Sequence, residues 1–386
     1  MASFDWIVVG GGITGAALGY ELLDQGARVL VLERDPVLRG ATRYSYGGIA
    51  HWAGTTDFTR TLCQESLAIH RFLPRELDSP THYRDIDLLL TIGQEEDAEA
   101  ITASFADCAT QPQRLTPQEA QEREPQLHID SLQCVLRLPH AQIDAQRTAE
   151  AYHKAITRRG GQVTIAKVTA VHADRVETSD DTFHGTNIVL CTGSDSRRFL
   201  QDLGLEIPLY FSYAESVETI PRQIPLRTMV QSAITRRFDL EAQAAQPELT
   251  DRWNQPDQEL SPPVMDMGAL QFPDGHIRMG QISRTLSNPH ADFNPYQSEA
   301  WIRREVRRYL PTIAALPGAW CCCTVAFTRD HLPLVGALPD HPSIHLFSGF
   351  SNPMALVPAL ARRFAKSVLK AADPMLESVS PQRFWP

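Results

Sequence analysis

Residues 7–33 read IVVGGGITGAALGYELLDQGARVLVLE, and this stretch decides the fold. The short apolar run at residues 7–9 is typical of a buried parallel strand. The helical pattern that follows Gly15 stops at Gly26, a common residue just after a helix. A second strand-like run then ends at Glu33. The stretch therefore predicts a strand, a tight turn, a helix and a second strand.

The turn carries the spacing G-x-G-x-x-G of a dinucleotide-binding fingerprint, at Gly10, Gly12 and Gly15. Gly10 permits the tight turn, Gly12 lets the backbone approach a pyrophosphate, and Gly15 lets the helix pack closely on the strand. Unpaired N–H groups at the start of the helix then face the phosphates, and Glu33 can accept hydrogen bonds from ribose hydroxyls. An ordinary glycine turn is the alternative, but the complete context favours a dinucleotide. The fingerprint does not distinguish FAD from NAD.

Length and composition indicate the number of domains and argue against several classes of protein. A chain of 386 residues is longer than one hydrophobic core usually serves, so two domains are expected. Hydrophobic residues make up 43% of the chain, which argues against disorder, and the net charge of −10 argues against a nucleic-acid partner. No run reaches the ~18 apolar residues of a membrane span. The start of the chain shows no export signal, so we expect a cytoplasmic protein with reduced thiols.

Four places in the chain resemble the family of FAD enzymes that contains D-amino-acid oxidase, glycine oxidase and sarcosine oxidase. They are the amino-terminal unit, the loop GATRYSYGGI (40–49), the pair KVTAV (167–171) and IVLCTGSDS (188–196), and the tail FTRDHLPLVGALPDHPSIHLFSGFSNPMALVPALARRFA (327–365). The likeness covers most of the chain. The tail is the most specific part, because family members carry T-x-D-x-x-P-x-x-G followed by G-F-S and a helix.

The resemblance implies an α/β fold with two domains. A Rossmann-type FAD-binding domain, with a parallel or mixed sheet and helices, is expected from residues 1–84, 141–205 and 321–386. An α+β substrate-binding domain with a mostly antiparallel sheet is expected from residues 85–140 and 206–320. Residues 239–263 are polar and are predicted to form a partly flexible insertion.

The resemblance also assigns the residues that contact FAD. The turn faces the pyrophosphate, the 40–49 loop lies along the isoalloxazine ring, and the start of the last helix approaches its pyrimidine end, where a helix N-terminus stabilises negative charge. The assigned cofactor-binding residues are Gly10, Gly12, Ile13, Thr14, Gly15, Glu33, Arg34, Thr42, Arg43, Gly47, Gly48, Ile49, Val168, Thr192, Gly193, Cys323, Asp330, Gly349, Phe350, Ser351, Asn352 and Met354.

The implied reaction is oxidation of the C–N bond of an amine or amino acid, a small-molecule substrate. Hydride passes from the α-carbon to flavin N5, and the imine is then hydrolysed. Oxygen or another electron acceptor reoxidises the flavin. One alternative is an FAD-dependent 2-hydroxy-acid dehydrogenase with a quinone or protein acceptor, which needs a base such as His51 or His331. Another is a flavin-binding protein without turnover.

The substrate-binding residues depart from the family pattern. Val325 stands where amino-acid-oxidising members carry an arginine that binds the substrate carboxylate. Either another arginine takes this role, with Arg60, Arg278 and Arg284 as candidates, or the substrate is not a simple α-amino acid. His51 follows the flavin-facing loop and is a candidate catalytic residue, although a loop histidine that only bonds to its surroundings is the alternative.

The turn after G-F-S also departs from the pattern. Residues 352–354 read Asn-Pro-Met in place of a glycine-containing turn, and Pro353 removes one backbone donor. Asn352 either caps a helix that begins at Pro353 or lies in a loop before a helix that begins at Pro358.

Three consecutive cysteines, Cys321, Cys322 and Cys323, precede the tail. In a strand their side chains alternate between two faces, so they cannot converge on one metal ion, and no metal site is predicted. Cys323 stands five residues before Thr328, the spacing of the flavin-linking cysteine in sarcosine oxidase-like members. Many relatives hold glycine at this position and bind FAD without a covalent bond. We expect non-covalent FAD, with a covalent link through Cys323 as the alternative.

Overall fold

The computed structural model describes residues 3–222 and 224–385. In chain order, its strands are β1 (Ser3–Val9), β2 (Val29–Glu33), β3 (Gly48–Ile49), β4 (Arg84–Gly93), β5 (Gln113–Leu115), β6 (Leu132–Gln142), β7 (Gln162–Ile165), β8 (Val168–Val171), β9 (Arg175–Thr178), β10 (Thr182–Leu190), β11 (Leu209–Thr219), β12 (Met229–Ser232), β13 (Glu259–Gln271), β14 (Ile277–Leu286), β15 (Gly318–Thr328), β16 (Leu334–Leu338) and β17 (His341–Ser348).

Helices connect and cover these strands. They are α1 (Ile13–Asp24), α2 (Gly40–Tyr44), α3 (Asp57–Glu76), α4 (Ala98–Ala103), α5 (Pro117–Arg123), α6 (Ala145–Arg158), α7 (Ser196–Asp202), α8 (Arg236–Ala244), α9 (Thr250–Trp253), α10 (Pro295–Arg307), α11 (Pro311–Ala314) and α12 (Pro353–Leu369), with 3-10 turns at Gly193–Asp195, Pro247–Leu249, Pro374–Val379 and Pro381–Phe384. Within the described residues, none of these helices combines the length and apolar character that a membrane crossing requires.

The first sheet has the order β16-β17-β10-β1-β2-β7, with β9 and β8 attached through β10. Strands β17, β10, β1, β2 and β7 are parallel, and Val8 lies between Val189 and Val31. Helices α1, α3, α6 and α12 bury one face of this sheet, and α7 with β8 and β9 helps to bury the other. Burial on both faces explains why the strands are continuous apolar runs. The predicted α/β fold is confirmed.

The second sheet has the order β15-β11-β14-β13-β12-β4-β6-β3, with β5 paired to β6. All its pairs are antiparallel except β12 with β4. Strand β15 pairs with β11 over its whole length, from Gly318 beside Thr219 to Thr328 beside Leu209. The predicted domain boundary at residue 321 therefore falls inside a strand of the second sheet.

The segment 239–263 is folded, contrary to the predicted flexible insertion. It contains the end of α8, a 3-10 turn, α9 and the start of β13. Trp253 is buried and stacks on Tyr210 with ring centroids 4.9 Å apart. Trp253 also donates its indole N–H to the carbonyl of Ala244 at 2.8 Å. One buried aromatic residue thus holds a segment whose composition is otherwise polar.

Candidate active site

A cavity of about 700 Å³ lies between the carboxyl ends of β1, β2 and β10 and one face of the second sheet. Most of the residues predicted to bind the cofactor line it. These are Gly10, Gly12, Ile13, Thr14, Glu33, Arg34, Thr42, Gly48, Val168, Thr192, Gly193, Cys323, Gly349, Phe350, Ser351, Asn352 and Met354. Segments that are more than 300 residues apart in the chain therefore meet around one space.

The glycine turn leaves the start of α1 open to this cavity. Gly12 precedes the helix, and no side chain caps it there. Thr42 accepts the N–H of Ile13 at 3.0 Å, and a Cβ atom at Gly12 would lie 2.9 Å from the Thr42 hydroxyl. At Gly15 a Cβ would lie 1.9 Å from the carbonyl oxygen of Gly10. Gly15 therefore permits the helix packing and does not itself line the cavity, and the open helix start fits a pyrophosphate.

Glu33 is buried at the end of β2 and lines the cavity. One carboxylate oxygen accepts the N–H of Gly11 at 2.8 Å, and the other accepts the N–H of Asp35 at 3.0 Å. Each oxygen retains capacity for a further hydrogen bond. Arg34 forms an ion pair with Asp195 beside it. The carboxylate is thus held in an orientation that fits recognition of ribose hydroxyls.

The loop at 40–49 is held by the second sheet. Gly47 has φ +69°, and a Cβ atom there would lie 1.8 Å from the carbonyl oxygen of Ile143. Gly48 pairs with Gln142 of β6 and lines the cavity, whereas Ile49 is fully buried in the core. Gly47 and Ile49 therefore pack the loop against the protein and do not line the cavity, although the resemblance assigned both to the cofactor.

Arg43 and Arg278 are engaged in an ion network outside the cavity lining. Arg43 donates to both oxygens of Glu218, at 2.8 and 2.7 Å. Arg278, 1% exposed, donates to Glu218 and to the carbonyls of Ser45 and Arg43. Burial raises the pKa of Glu218, but the hydrogen bonds from the two arginines outweigh burial and lower this pKa to about 2. Contrary to its prediction as a catalytic residue, Arg278 joins the loop to the second sheet.

The structure places three other predicted site residues away from the cavity lining. Arg60, on α3, donates to the carbonyl of Asp107 at 2.7 Å. His51 is half-buried, and its pKa is lowered by burial and by the nearby Arg71. Asp330 accepts hydrogen bonds from Arg383 at 2.7 and 3.0 Å and so holds the turn after β15. Neither Arg60 nor His51 lines the cavity.

The structure of the tail decides between the two predicted starts of its helix, Pro353 and Pro358. Helix α12 begins at Pro353, and Asn352 immediately before it makes no side-chain capping bond. Pro358 lies inside the helix. The first alternative, a helix that begins at Pro353, is thus observed, but without the cap by Asn352, because Asn352 has φ −130° and ψ 68°, which differ from the usual capping conformation.

The three cysteines of β15 are distributed as the strand pattern predicts. Cys323 is buried and lines the cavity, Cys322 packs against the aromatic cluster around Trp253, and Cys321 lies 3.1 Å from the hydroxyl of Ser216. All seven cysteines are free thiols. Residues 3–222 and 224–385 contain no group of three or more histidine, cysteine or acidic side chains suited to a metal ion.

Comparison with known proteins decides the family. A family model described as FAD dependent oxidoreductase (DAO) matches residues 5–367. The chain belongs to this family. The predicted family and the predicted cofactor, FAD, are confirmed.

Individual relatives in the FAD dependent oxidoreductase family are distant. Peroxisomal sarcosine oxidase of Homo sapiens is 26% identical over 213 residues, which cover 53% of this chain and 54% of that protein. Glycine oxidase of Geobacillus kaustophilus is 28% identical over 223 residues, 54% of this chain and 59% of that protein. The chain therefore spans little more than half the length of these two curated relatives. The crystal structure of glycine oxidase from Geobacillus kaustophilus superimposes with a TM-score of 0.81 at 20% identity and covers 99% of both chains, which shows a common fold.

In this FAD dependent oxidoreductase, the end of the cavity away from Glu33 contains residues that sequence reasoning missed. His140 of β6 accepts the indole N–H of Trp52 on Nδ1 at 3.3 Å, and burial lowers its pKa to about 3. Arg237 of α8 donates to the carbonyl of Ser351 at 3.2 Å. The remaining lining residues at this end are mostly apolar, among them Leu88, Leu90, Phe105, Met229 and Phe238. No local motif marks these residues, because they come from β4, β6, β12, α8 and two loops, which only the folded chain brings together.

Proposed function

We propose that this protein oxidises the C–N bond of an amine or amino acid with bound FAD. The observation that carries the proposal is the cavity itself, because the predicted cofactor residues line one end and a mostly apolar chamber forms the other. Two curated relatives named glycine oxidase and sarcosine oxidase support a substrate with a C–N bond. When bound, FAD supplies the two-electron oxidation.

At the end of the cavity that the predicted cofactor residues line, different residues bind different parts of FAD. The open start of α1 binds the pyrophosphate, and Glu33 binds the ribose next to the adenine. Gly48 and the start of α12 hold the flavin end, where the helix N-terminus favours negative charge. Val168 and Thr192 line the remaining part of the channel.

The histidines favour an amine over a 2-hydroxy acid. A hydroxy acid requires a base for its hydroxyl proton, and the two candidates, His51 and His331, do not line the cavity. His140 does line it, but its Nδ1 lone pair accepts the N–H of Trp52. An uncharged amine requires no side-chain base. Free cysteines throughout the chain support a cytoplasmic location, which we propose as well.

The test is anaerobic reduction of the purified holoprotein. We expect matched panels of amines and amino acids to bleach the flavin absorbance and to release a carbonyl product, while 2-hydroxy acids leave the flavin oxidised. Admitting oxygen, or a quinone in its absence, then identifies the electron acceptor. Bleaching by hydroxy acids alone would support the dehydrogenase instead. Bound FAD that no reductant in either panel bleaches would leave a flavin-binding protein.

A further inference from the structure

Arg237 is a cation set apart from the other positive charges of the cavity. Arginine and lysine residues next to the predicted nucleotide contacts are Arg34, Arg39, Lys167 and Arg198. Arg237 instead comes from α8, which packs on β13 of the second sheet. Among the described residues, it is the one arginine or lysine of the lining that comes from the elements between β11 and β15.

The backbone of Arg237 is anchored by a buried carboxylate. Asp266 of β13 is 6% exposed, and its two oxygens accept the N–H groups of Arg236 and Arg237 at 2.7 and 3.0 Å. These bonds satisfy donors at the start of α8 that the helix itself cannot pair. Asp266 therefore directs the first turn of α8 at the cavity wall.

The guanidinium of Arg237 is held from two further sides. It donates one hydrogen bond to the carbonyl of Ser351 at 3.2 Å, and its carbon lies 4.8 Å from the ring centroid of Phe238. The carboxylate of Glu241 lies 3.9 Å from its Nε, beyond hydrogen-bonding distance, and accepts the hydroxyl of Ser212. With 15% of its side chain exposed, the guanidinium is fixed in place at the edge of the open space.

Most of the hydrogen-bonding capacity of Arg237 remains unused. A guanidinium has five N–H donors in a planar fork, and only the bond to Ser351 engages it among residues 3–222 and 224–385. Both oxygens of Asp266 accept backbone N–H groups, and one oxygen of Glu241 accepts the hydroxyl of Ser212. The other oxygen of Glu241 has no hydrogen-bond partner among the described residues, so Glu241 is a nearby counter-charge that occupies none of the guanidinium donors. Val325, which lines the same cavity, offers no donor from its side chain. A planar anion such as a carboxylate matches the unoccupied fork.

We propose that Arg237 binds the carboxylate of the substrate, so that the substrate is an amino acid rather than a simple amine. This inference rests on the proposed function. Because Leu88, Leu90 and Met229 line the same cavity, the remainder of the amino acid is expected to be apolar.

The experiment compares the variants Arg237→Met and Arg237→Lys with the matched control Arg236→Met in holoprotein. Arg236 is the adjacent residue of α8, and its side chain does not line the cavity. The first readout is the titration of the oxidised flavin spectrum with benzoate, an unreactive carboxylate. We expect the dissociation constant for benzoate to rise about 100-fold in Arg237→Met, less in Arg237→Lys, and to stay unchanged in the control.

The second readout is the rate of flavin reduction by apolar amino acids and by the amines that lack only the carboxylate. The wild type should prefer the amino acid of each pair, and Arg237→Met should lose this preference, measured as the ratio of the two reduction rates. Wild-type benzoate affinity in both Arg237 variants would overturn the proposal, as would a wild type whose flavin spectrum no carboxylate perturbs. If no amine or amino acid reduces the flavin, the proposed function fails, but the benzoate titration still tests Arg237. FAD content and melting temperature identify a variant that fails to fold.

Discussion

Trp52 donates its indole N–H to Nδ1 of His140 at 3.3 Å, and this bond determines which ring nitrogen of the histidine carries the proton. Burial lowers the pKa of His140 to about 3, so the ring is neutral at pH 7 and its proton resides on Nε2. Nε2 has no protein partner among the described residues. A Cβ atom at Gly48 would lie 2.7 Å from it. The histidine therefore requires a glycine at position 48, next to the predicted flavin site.

Buried histidines make the protein sensitive to acid. Burial lowers the pKa of His70, His140 and His345 to about 4, 3 and 4, from 6.5. Because the unfolded chain binds these protons first, stability is greatest above pH 6.5 and falls as the pH decreases toward 4, by about 1.4 kcal/mol per pH unit for each histidine. Urea unfolding between pH 4.5 and 7.5 with a fixed excess of FAD measures the slope.

The variant His140→Gln should reduce that slope by about one proton. The matched control is His128→Gln, since this side chain is about half exposed, and it should leave the slope unchanged. If the free energy of unfolding of His140→Gln depended on pH as steeply as that of the wild type, His140 would be charged in the folded protein or would titrate normally.

Glu218 is expected to contribute strongly to stability at neutral pH. Glu218→Gln leaves Arg43 and the buried Arg278 without their counter-charge, so we expect a loss of about 3 kcal/mol in the free energy of unfolding. Since the pKa of Glu218 is lowered to about 2, its contribution is complete above pH 4.5 and is lost only as the pH falls toward 2. Urea unfolding at pH 7 is the measurement. Asp5→Asn, which breaks the exposed pair with Arg28, should cost less than about 1 kcal/mol, and equal losses in both variants would contradict the prediction.

Gly47 should tolerate no side chain. In Gly47→Ala the new Cβ would meet the carbonyl of Ile143 at a φ of +69°, so the loop must move. We expect purified Gly47→Ala to retain little FAD and to melt at a clearly lower temperature. Gly204→Ala is the control, because Gly204 has φ +74° but open space around it, and it should lose only about 1 kcal/mol. Full FAD content in Gly47→Ala would indicate that the loop does not contact the cofactor.

FAD is expected to be released when the protein is denatured. Burial raises the pKa of the Cys323 thiol to about 12, and the thiolate is the reactive form of cysteine. Precipitation with acid should therefore give a yellow supernatant and a colourless pellet. A yellow pellet in the wild type and in Cys322→Ala, but not in Cys323→Ala, would instead demonstrate a covalent link through Cys323.

The amino-terminal βαβ unit could be predicted from the sequence because its determinants are local. The strand, the glycine turn, the helix and Glu33 lie within 27 consecutive residues, and the spacing of the glycines follows from backbone sterics alone. The alternation of the cysteines in β15 is equally local, since it depends only on the two-residue period of a strand.

The substrate end was decided by tertiary structure. From the sequence, Arg60, Arg278 and Arg284 were equal candidates for the substrate carboxylate, and no motif pointed to Arg237. The arginines differ in their long-range partners. Arg278 is bonded to Glu218, 60 residues away, whereas Arg237 donates to the carbonyl of Ser351 across 114 residues. The sequence by itself determined the βαβ unit, because short-range geometry suffices for it, and the motifs along the chain that resemble the family implied FAD. Only the folded chain decided which arginine faces the open space, since the availability of a charge depends on which distant partners neutralise it.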